Sequence, residues 1–418
     1  MMDALKSGTV LFFATLSGGA FNFLFQVFMG RALTVEDFGS MNAFFSVILI
    51  TGIPAAAMVT ALSKKISSLN AGGRTGEAGR LYRASFIRMA VCGGVVLSVS
   101  ALLRGPISRA FGLGSEWVPV IAGAGLLFAF VLAANLGVLQ GLRRYRYFGA
   151  GIGLLSPLKL LIGGFLAAAG FGVGGAVAGF SCAILAVFFL TIMPVLRLIS
   201  SSSCIGRPAA QAPWLSFQQL AYAAAFAFVT NIDMIMVKLY FPAREAGLYA
   251  AASVLGKAVL YASSFSTGSF FGGSFHKKVH AFKLLDRGLF RTFAVFLLVA
   301  PVFVLFPGHL LGMLFGPAFY EAAPVLRYYA VAAGFMSMAG LFMAYGASRR
   351  NAGFLFRLIV VSALLPFAIA ALPQSLTAVV LAAGTAAFAL SAAGLAAAIR
   401  ERRSFNGTQA KLEGIAGR

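Results

Sequence analysis

Seven basic residues, Arg88, Lys159, Lys238, Lys257, Arg291, Arg327 and Arg357, stand in stretches of the chain that are otherwise nearly free of charge, and one acid, Asp233, stands with them. An ammonium or guanidinium group in such surroundings either pairs with an acid or holds an anion, and arginine offers paired donors that match phosphate oxygens. Placing such a charge at the middle of a bilayer costs about 2.5–3.5 kcal/mol on insertion scales, so each is a candidate functional group. Depth sorts them. Arg88, Arg291 and Arg357 fall near one end of their apolar stretches, Lys238 and Arg327 near the other, and long side chains there can reach water. Lys159 and Lys257 are too deep for that and are expected to face a protein interior or a wet cavity. Asp233, in Thr230-Asn231-Ile232-Asp233, lies close enough along the chain to Lys257 for two readings to stay open: a structural ion pair, or an acid available for proton or cation coupling beside an anion-binding lysine. Asn22 and Gln26, four residues apart, share one helical face and either line a cavity or bond between helices.

The elements that must position these groups are apolar and long. Hydrophobic residues make up 60% of the chain and charged residues 11%, far from the balance of a soluble domain. Twelve stretches are long enough to cross a hydrocarbon core: Gly8–Gly30, Phe38–Leu62, Ala84–Leu103, Trp117–Leu139, Phe148–Ala169, Gly172–Leu196, Ser216–Leu239, Gly247–Phe271, Leu289–Phe306, Pro324–Tyr345, Gly353–Leu372 and Leu376–Ile399. The first exceeds a signal-peptide core and is expected to be retained. The longest segments between spans, Ser63–Arg83 and Arg197–Leu215, leave no room for a catalytic domain outside the membrane.

The spans repeat. Glu36-Asp37-Phe38-Gly39 returns as Arg244-Glu245-Ala246-Gly247, Phe111-Gly112 as Phe315-Gly316, and Glu116-Trp117-Val118-Pro119-Val120 as Glu321-Ala322-Ala323-Pro324-Val325. Gln140-Gly141 with Arg143-Arg144 returns as Tyr345-Gly346 with Arg349-Arg350, and all offsets fall between 204 and 208. The expected organisation is an all-α polytopic membrane protein of twelve transmembrane helices in two pseudo-symmetric six-helix lobes, 1–200 and 216–400. A linker, 201–215, joins them, and a basic tail, 401–418, follows.

A net charge of +22 would suit nucleic acid, but its placement argues otherwise. With the amino terminus inside, the inner segments carry 22 Lys/Arg and the outer loops four, Arg31, Arg104, Arg109 and Arg244. That alternation is the positive-inside pattern, with both termini cytoplasmic. Cys92, Cys182 and Cys204 imply no disulfide framework. His276 and His280 have metal-ligand spacing but lie among Lys277, Lys278 and Lys283, which reads as a solvated basic loop. Gly170-Phe171-Gly172-Val173-Gly174-Gly175 lacks the strand and the Lys-Ser/Thr of a phosphate loop and reads as a tight hairpin. Glu36, Asp37 and Glu321 each precede a span, where an acid favours a helix amino terminus. No catalytic, cofactor or metal site is expected.

Three segments carry a family resemblance: Met29-Gly30-Arg31-Ala32-Leu33-Thr34-Val35-Glu36-Asp37-Phe38-Gly39, the run from Asn231 through Pro242 to Tyr249, and Leu314-Phe315-Gly316-Pro317-Ala318-Phe319-Tyr320-Glu321-Ala322-Ala323-Pro324-Val325-Leu326. In order and spacing they resemble the polysaccharide-exporter (O-antigen and exopolysaccharide flippase) branch of the multidrug/oligosaccharidyl-lipid/polysaccharide (MOP) superfamily. The resemblance implies a MATE-like fold that opens alternately to each side, in the bacterial cytoplasmic membrane. It implies a transporter that flips a polyprenyl-diphosphate-linked oligosaccharide from the inner to the outer leaflet for polysaccharide export. Expected partners are that anionic glycolipid, membrane lipids and other membrane proteins of polysaccharide assembly, with no nucleic acid. Lys159, Lys257, Arg88, Arg291 and Arg357, with Asn22 and Gln26, are then the substrate-binding candidates. A basic interior attracts a diphosphate and repels an organic cation, which separates this reading from the alternatives, an exporter of drugs or other solutes with the same fold and a non-transport role in glycan assembly.

Overall fold

The computed structural model describes residues 2–200, 217–271, 278–372 and 375–416. The expected linker, 201–215, lies outside the described residues, as does His276. Every regular element among the described residues is helical. The first half contains α1 (Met2–Ala32), α2 (Val35–Thr51), α3 (Ile53–Ala71), α4 (Thr75–Leu102), α5 (Arg104–Phe111), α6 (Trp117–Gly141), α7 (Tyr145–Gly153), α8 (Leu155–Leu166) and α9 (Gly172–Ser200). The second contains α10 (Phe217–Tyr240), α11 (Ala243–Phe271), α12 (Lys278–Leu305), α13 (Pro307–Phe315), α14 (Ala323–Arg349), α15 (Ala352–Ala371) and α16 (Leu376–Ala416).

These helices realise the twelve expected spans, with local chemistry setting their breaks. Proline cannot donate to the carbonyl four residues back and clashes with it. Pro54 therefore separates α2 from α3 at Gly52, and Pro157 separates α7 from α8 at Leu154. Two spans read as continuous are thus each two helices. The glycine run after α8 makes a hairpin, not a phosphate loop: Gly170 (φ 92°) and Gly172 (φ 51°) take left-handed backbone that a side chain would strain, and α9 returns beside α8. Thr34 caps α2, its Oγ1 accepting from Asp37 N at 3.1 Å, while Glu36 and Asp37 occupy the positive first turn. At the other end of the chain α16 continues to Ala416, so the expected tail begins as helix.

The repeat motifs mark turns. Phe111-Gly112 and Phe315-Gly316 end the short helices α5 and α13, with both glycines in left-handed backbone (φ 62° and 110°). The basic pair after α6 and after α14 is a second recurrent turn. Arg143 (φ 56°) and Arg350 (φ 53°) are left-handed, and the next residue's N–H closes onto Leu139 O and Gly346 O respectively. The turn therefore aligns Arg143 with Arg350, one position away from the pairing the sequence suggests.

The chain divides into two compact units: unit 1 is Met1–Leu220 with Pro242–Gly247 and Leu314–Gly316, and unit 2 is Ala221–Phe241, Leu248–Met313 and Pro317–Arg418. Within unit 1 the signature glycines Gly39 and Gly247 lie backbone to backbone with no room for a Cβ, and Arg31 Nε donates to Leu314 O at 2.9 Å. The centre of unit 1 is α6, buried from Phe130 to Leu139 against Leu62, Ile66, Tyr82, Met89 and Val187. In unit 2 the corresponding helix α14 is buried along most of its length and packs on α12 and α16. Large apolar side chains such as Leu102, Phe165, Phe290, Leu298 and Phe367 point outward. An apolar exterior over helices that satisfy their own backbone is the pattern of a multi-pass membrane protein. Ten stretches among the described residues are long and apolar enough to span, and the 53-residue Tyr145–Arg197 contains the hairpin and so crosses twice.

Candidate functional site

Lys159 sits in the first turns of α8 because the break at Pro157 restarts the helix just before it. Gly163 and Gly179 let α8 and α9 meet backbone to backbone, since a Cβ on Gly179 would strike the backbone of Gly163. On this closely held helix Lys159 Nζ donates to Asn22 Oδ1 of α1 at 3.0 Å. The same nitrogen lies 3.9 Å from the ring centre of Phe25 and 4.7 Å from that of Phe45. Phe25 is fully buried and meets Phe45 edge to face, and Phe45 in turn meets Phe180. A cation over an aromatic face gains about 0.5–2 kcal/mol, which offsets part of the insertion penalty in place of an acid. No carboxylate and no second oxygen acceptor meets Lys159 among the described residues. An ammonium has three donors, so this one has donor capacity to spare. One turn along α1, Gln26 Oε1 is buried with no donor among the described residues.

Lys257 is held differently. Its Nζ lies 3.7 Å from Asp233 Oδ1, with both residues buried. The other oxygen, Asp233 Oδ2, accepts from Tyr249 OH at 2.9 Å and Tyr329 OH at 2.7 Å, and Ser253 Oγ donates to Tyr329 OH at 3.1 Å. The two tyrosines are fully buried and pack edge to face. Gly256 makes room for this arrangement, because a Cβ there would overlap the Tyr329 ring. Helices α10, α11 and α14 of unit 2 are thus tied through one carboxylate. Unit 1 ties α4, α6 and α9 with neutral groups: Tyr82 OH donates to Asn135 Oδ1 at 2.9 Å, and Asn135 Nδ2 donates to Thr191 Oγ1 at 3.2 Å.

Among the expected site residues, the structure joins Lys159 to Asn22 and Lys257 to Asp233. Arg88, on α4 in unit 1, is half-buried; Arg291, on α12 in unit 2, is exposed. Arg357, on α15, lines a 410 Å³ cleft of unit 2 with Arg349, Asn351, Ala397, Arg400 and Glu401. Sequence reading missed Phe25, Phe45, Tyr249, Ser253 and Tyr329. A signal existed for two of them, since Tyr249, Ser253 and Lys257 stand at i, i+4 and i+8 on one face of α11. Tyr329, 96 positions from Asp233, offers no such local cue. No group of residues that could hold a metal occurs among the described residues.

No family model matches the chain, and no curated protein matches it. Solved structures do. The fold is similar to the inward-facing conformation of a multidrug resistance MATE family transporter of the MOP superfamily, at 16% identity and TM-score 0.69, covering 94% of this chain and 96% of that one. The outward-facing conformation of such a transporter matches at 13% identity and TM-score 0.63, covering 96% and 97%. A third, a MOP superfamily transporter from Pyrococcus furiosus Vc1 (DSM3638) described as having a binding pocket of reverse polarity that suggests a different function, matches at 14% identity and TM-score 0.57, with 96% of each chain covered. The fold of this chain is that of these membrane transporters.

Proposed function

We propose that this chain, folded as a MOP-superfamily transporter, moves a polyprenyl-diphosphate-linked oligosaccharide from the inner to the outer leaflet of the bacterial cytoplasmic membrane. The observation that carries the reading is Lys159: a cation deep within a span, with no acid beside it and with donors to spare. A diphosphate supplies the charge and the acceptor oxygens that the site lacks. The orphaned Gln26 Oε1 suits a sugar hydroxyl as donor. The charge balance supports the same reading. Asp233, the sole acid among the embedded charges, is committed to Lys257 and two tyrosines, so an organic cation finds no open carboxylate within the spans described. Within this fold the Pyrococcus transporter gives a precedent for changed pocket polarity accompanying a different function.

In this mechanism Arg88 and Arg291 attract the headgroup at the inner end, Lys159 with Asn22 and Gln26 binds it deeper, and alternating access delivers it outward. The bound glycolipid shifts the equilibrium between states only by its differential affinity for them. Lys257 and Asp233 support the architecture, and the chain transports without catalysis. The positive-inside pattern places both termini in the cytoplasm. Reporter fusions after Arg74, Arg144, Lys283 and Arg402 are expected inside, and those near Glu36, Gly172 and Arg244 outside.

The test is reconstitution in liposomes with a fluorescent polyprenyl-diphosphate oligosaccharide and, in parallel, an organic cation. Flipping of the glycolipid, lost on Lys159→Ala with the protein still folded, is the expected result. Export of the cation without glycolipid flipping overturns the proposal.

A further inference from the structure

At one end of unit 2, α14, α15 and α16 surround the 410 Å³ cleft lined by Arg349, Asn351, Arg357, Ala397, Arg400 and Glu401. Its charges are unevenly matched. Both oxygens of Glu401 are occupied: Oε1 receives Arg349 through Nε at 2.8 Å and through a terminal nitrogen at 2.7 Å, and Oε2 receives Tyr345 OH at 2.9 Å. Arg349 is thereby fixed in place. Arg357 and Arg400, on the same cleft, have no carboxylate partner among the described residues. Two uncompensated guanidinium groups facing one cavity form an anion site, and the paired donors of arginine fit phosphate oxygens.

The surroundings say where the phosphate comes from. Phe356, Val360, Leu364 and Phe367 of α15 are all exposed and, at spacings of four, four and three, form an apolar stripe that starts beside Arg357. A free phosphate has no use for such a stripe, whereas a phospholipid fills the cleft with its headgroup and lays its acyl chains along it. The positive-inside pattern sets this end at the cytoplasmic leaflet, where basic pockets between transmembrane helices hold anionic headgroups. We propose that this cleft binds the headgroup of an anionic phospholipid that remains in the inner leaflet, with Arg357 and Arg400 on its phosphate. Such a lipid links α15 to the Arg349–Glu401–Tyr345 cluster that joins α14 and α16. The inference rests on the inner placement of this end and not on which solute the protein carries.

Native mass spectrometry of the purified full chain tests it, with phosphatidylglycerol and phosphatidylcholine as probes. The wild type is expected to retain phosphatidylglycerol over phosphatidylcholine by about tenfold or more. The double variant Arg357→Gln/Arg400→Gln is expected to lose most of that preference. A control, Arg143→Gln/Arg144→Gln, removes equal charge from the inner turn of unit 1 and should keep it. The single variant Arg400→Gln, at an exposed residue, serves if the double variant does not fold, and an intermediate loss is expected. Equal retention of the two lipids, equal loss in the control pair, or full preference in Arg400→Gln overturns the proposal. Displacement of the lipid by excess inorganic phosphate also overturns it, assigning the cleft to a soluble anion. No transport readout enters, so failure here is distinct from failure of the glycolipid reading.

Discussion

Lys159 and Lys257 are the same residue type, each near the middle of its apolar stretch of sequence and one in each compact unit, and their surroundings assign them opposite work. Lys257 is neutralised by Asp233, whose second oxygen is filled by two tyrosines. Lys159 rests on two phenylalanine rings and a single amide oxygen. The first arrangement satisfies its charges internally and holds three helices together. The second stabilises a cation without cancelling it, because an aromatic face attracts positive charge but contributes none of its own. An embedded lysine is therefore available to a ligand only when what holds it is neutral.

The comparison is broken most severely at the ion pair. Lys257→Ala leaves Asp233 buried beside nothing positive, and a loss of about 3–5 kcal/mol is expected, read as a lower unfolding midpoint in detergent. Adding Asp233→Asn should recover much of it, since an amide oxygen still accepts from the tyrosines; no recovery would show that the pair is not what the helices depend on. Tyr329→Phe removes one hydrogen bond to the same carboxylate and should cost about 1.5–3 kcal/mol by the same assay.

At Lys159 the expectation reverses. Lys159→Ala should reduce glycolipid flipping by about tenfold or more while changing stability by less than about 1 kcal/mol, and Lys159→Arg should retain more transport than Lys159→Gln. A large stability loss with intact transport would make the two lysines alike. The smallest effect is expected at the exposed Arg104–Glu116 pair, 3.5 Å apart, where Arg104→Ala should shift stability by less than about 1 kcal/mol.

Much of the fold was legible because membrane spans advertise themselves. A bilayer demands some twenty apolar residues per helix, and proline and glycine mark the breaks. The repeat motifs carried real turns: Gly112 and Gly316 both end short helices in left-handed backbone, and Gly39 meets Gly247. The basic turn was legible in kind but off by one in register, because only backbone dihedrals show that Arg143 corresponds to Arg350.

Composition and spacing by themselves determined which residues are charged within spans, that Asn22 and Gln26 share a face, and that Asp233 stands within reach of Lys257. Tertiary structure decided what each charge meets. Asn22 and Lys159 are 137 positions apart, Asp233 and Tyr329 96, and Arg349 and Glu401 52. Local periodicity fixes only the face on which a side chain lies. Which helix is opposite, and whether it presents a carboxylate, an amide or a ring, follows from packing, and in a low-dielectric interior that neighbour determines whether a charge is spent on the fold or left for a ligand.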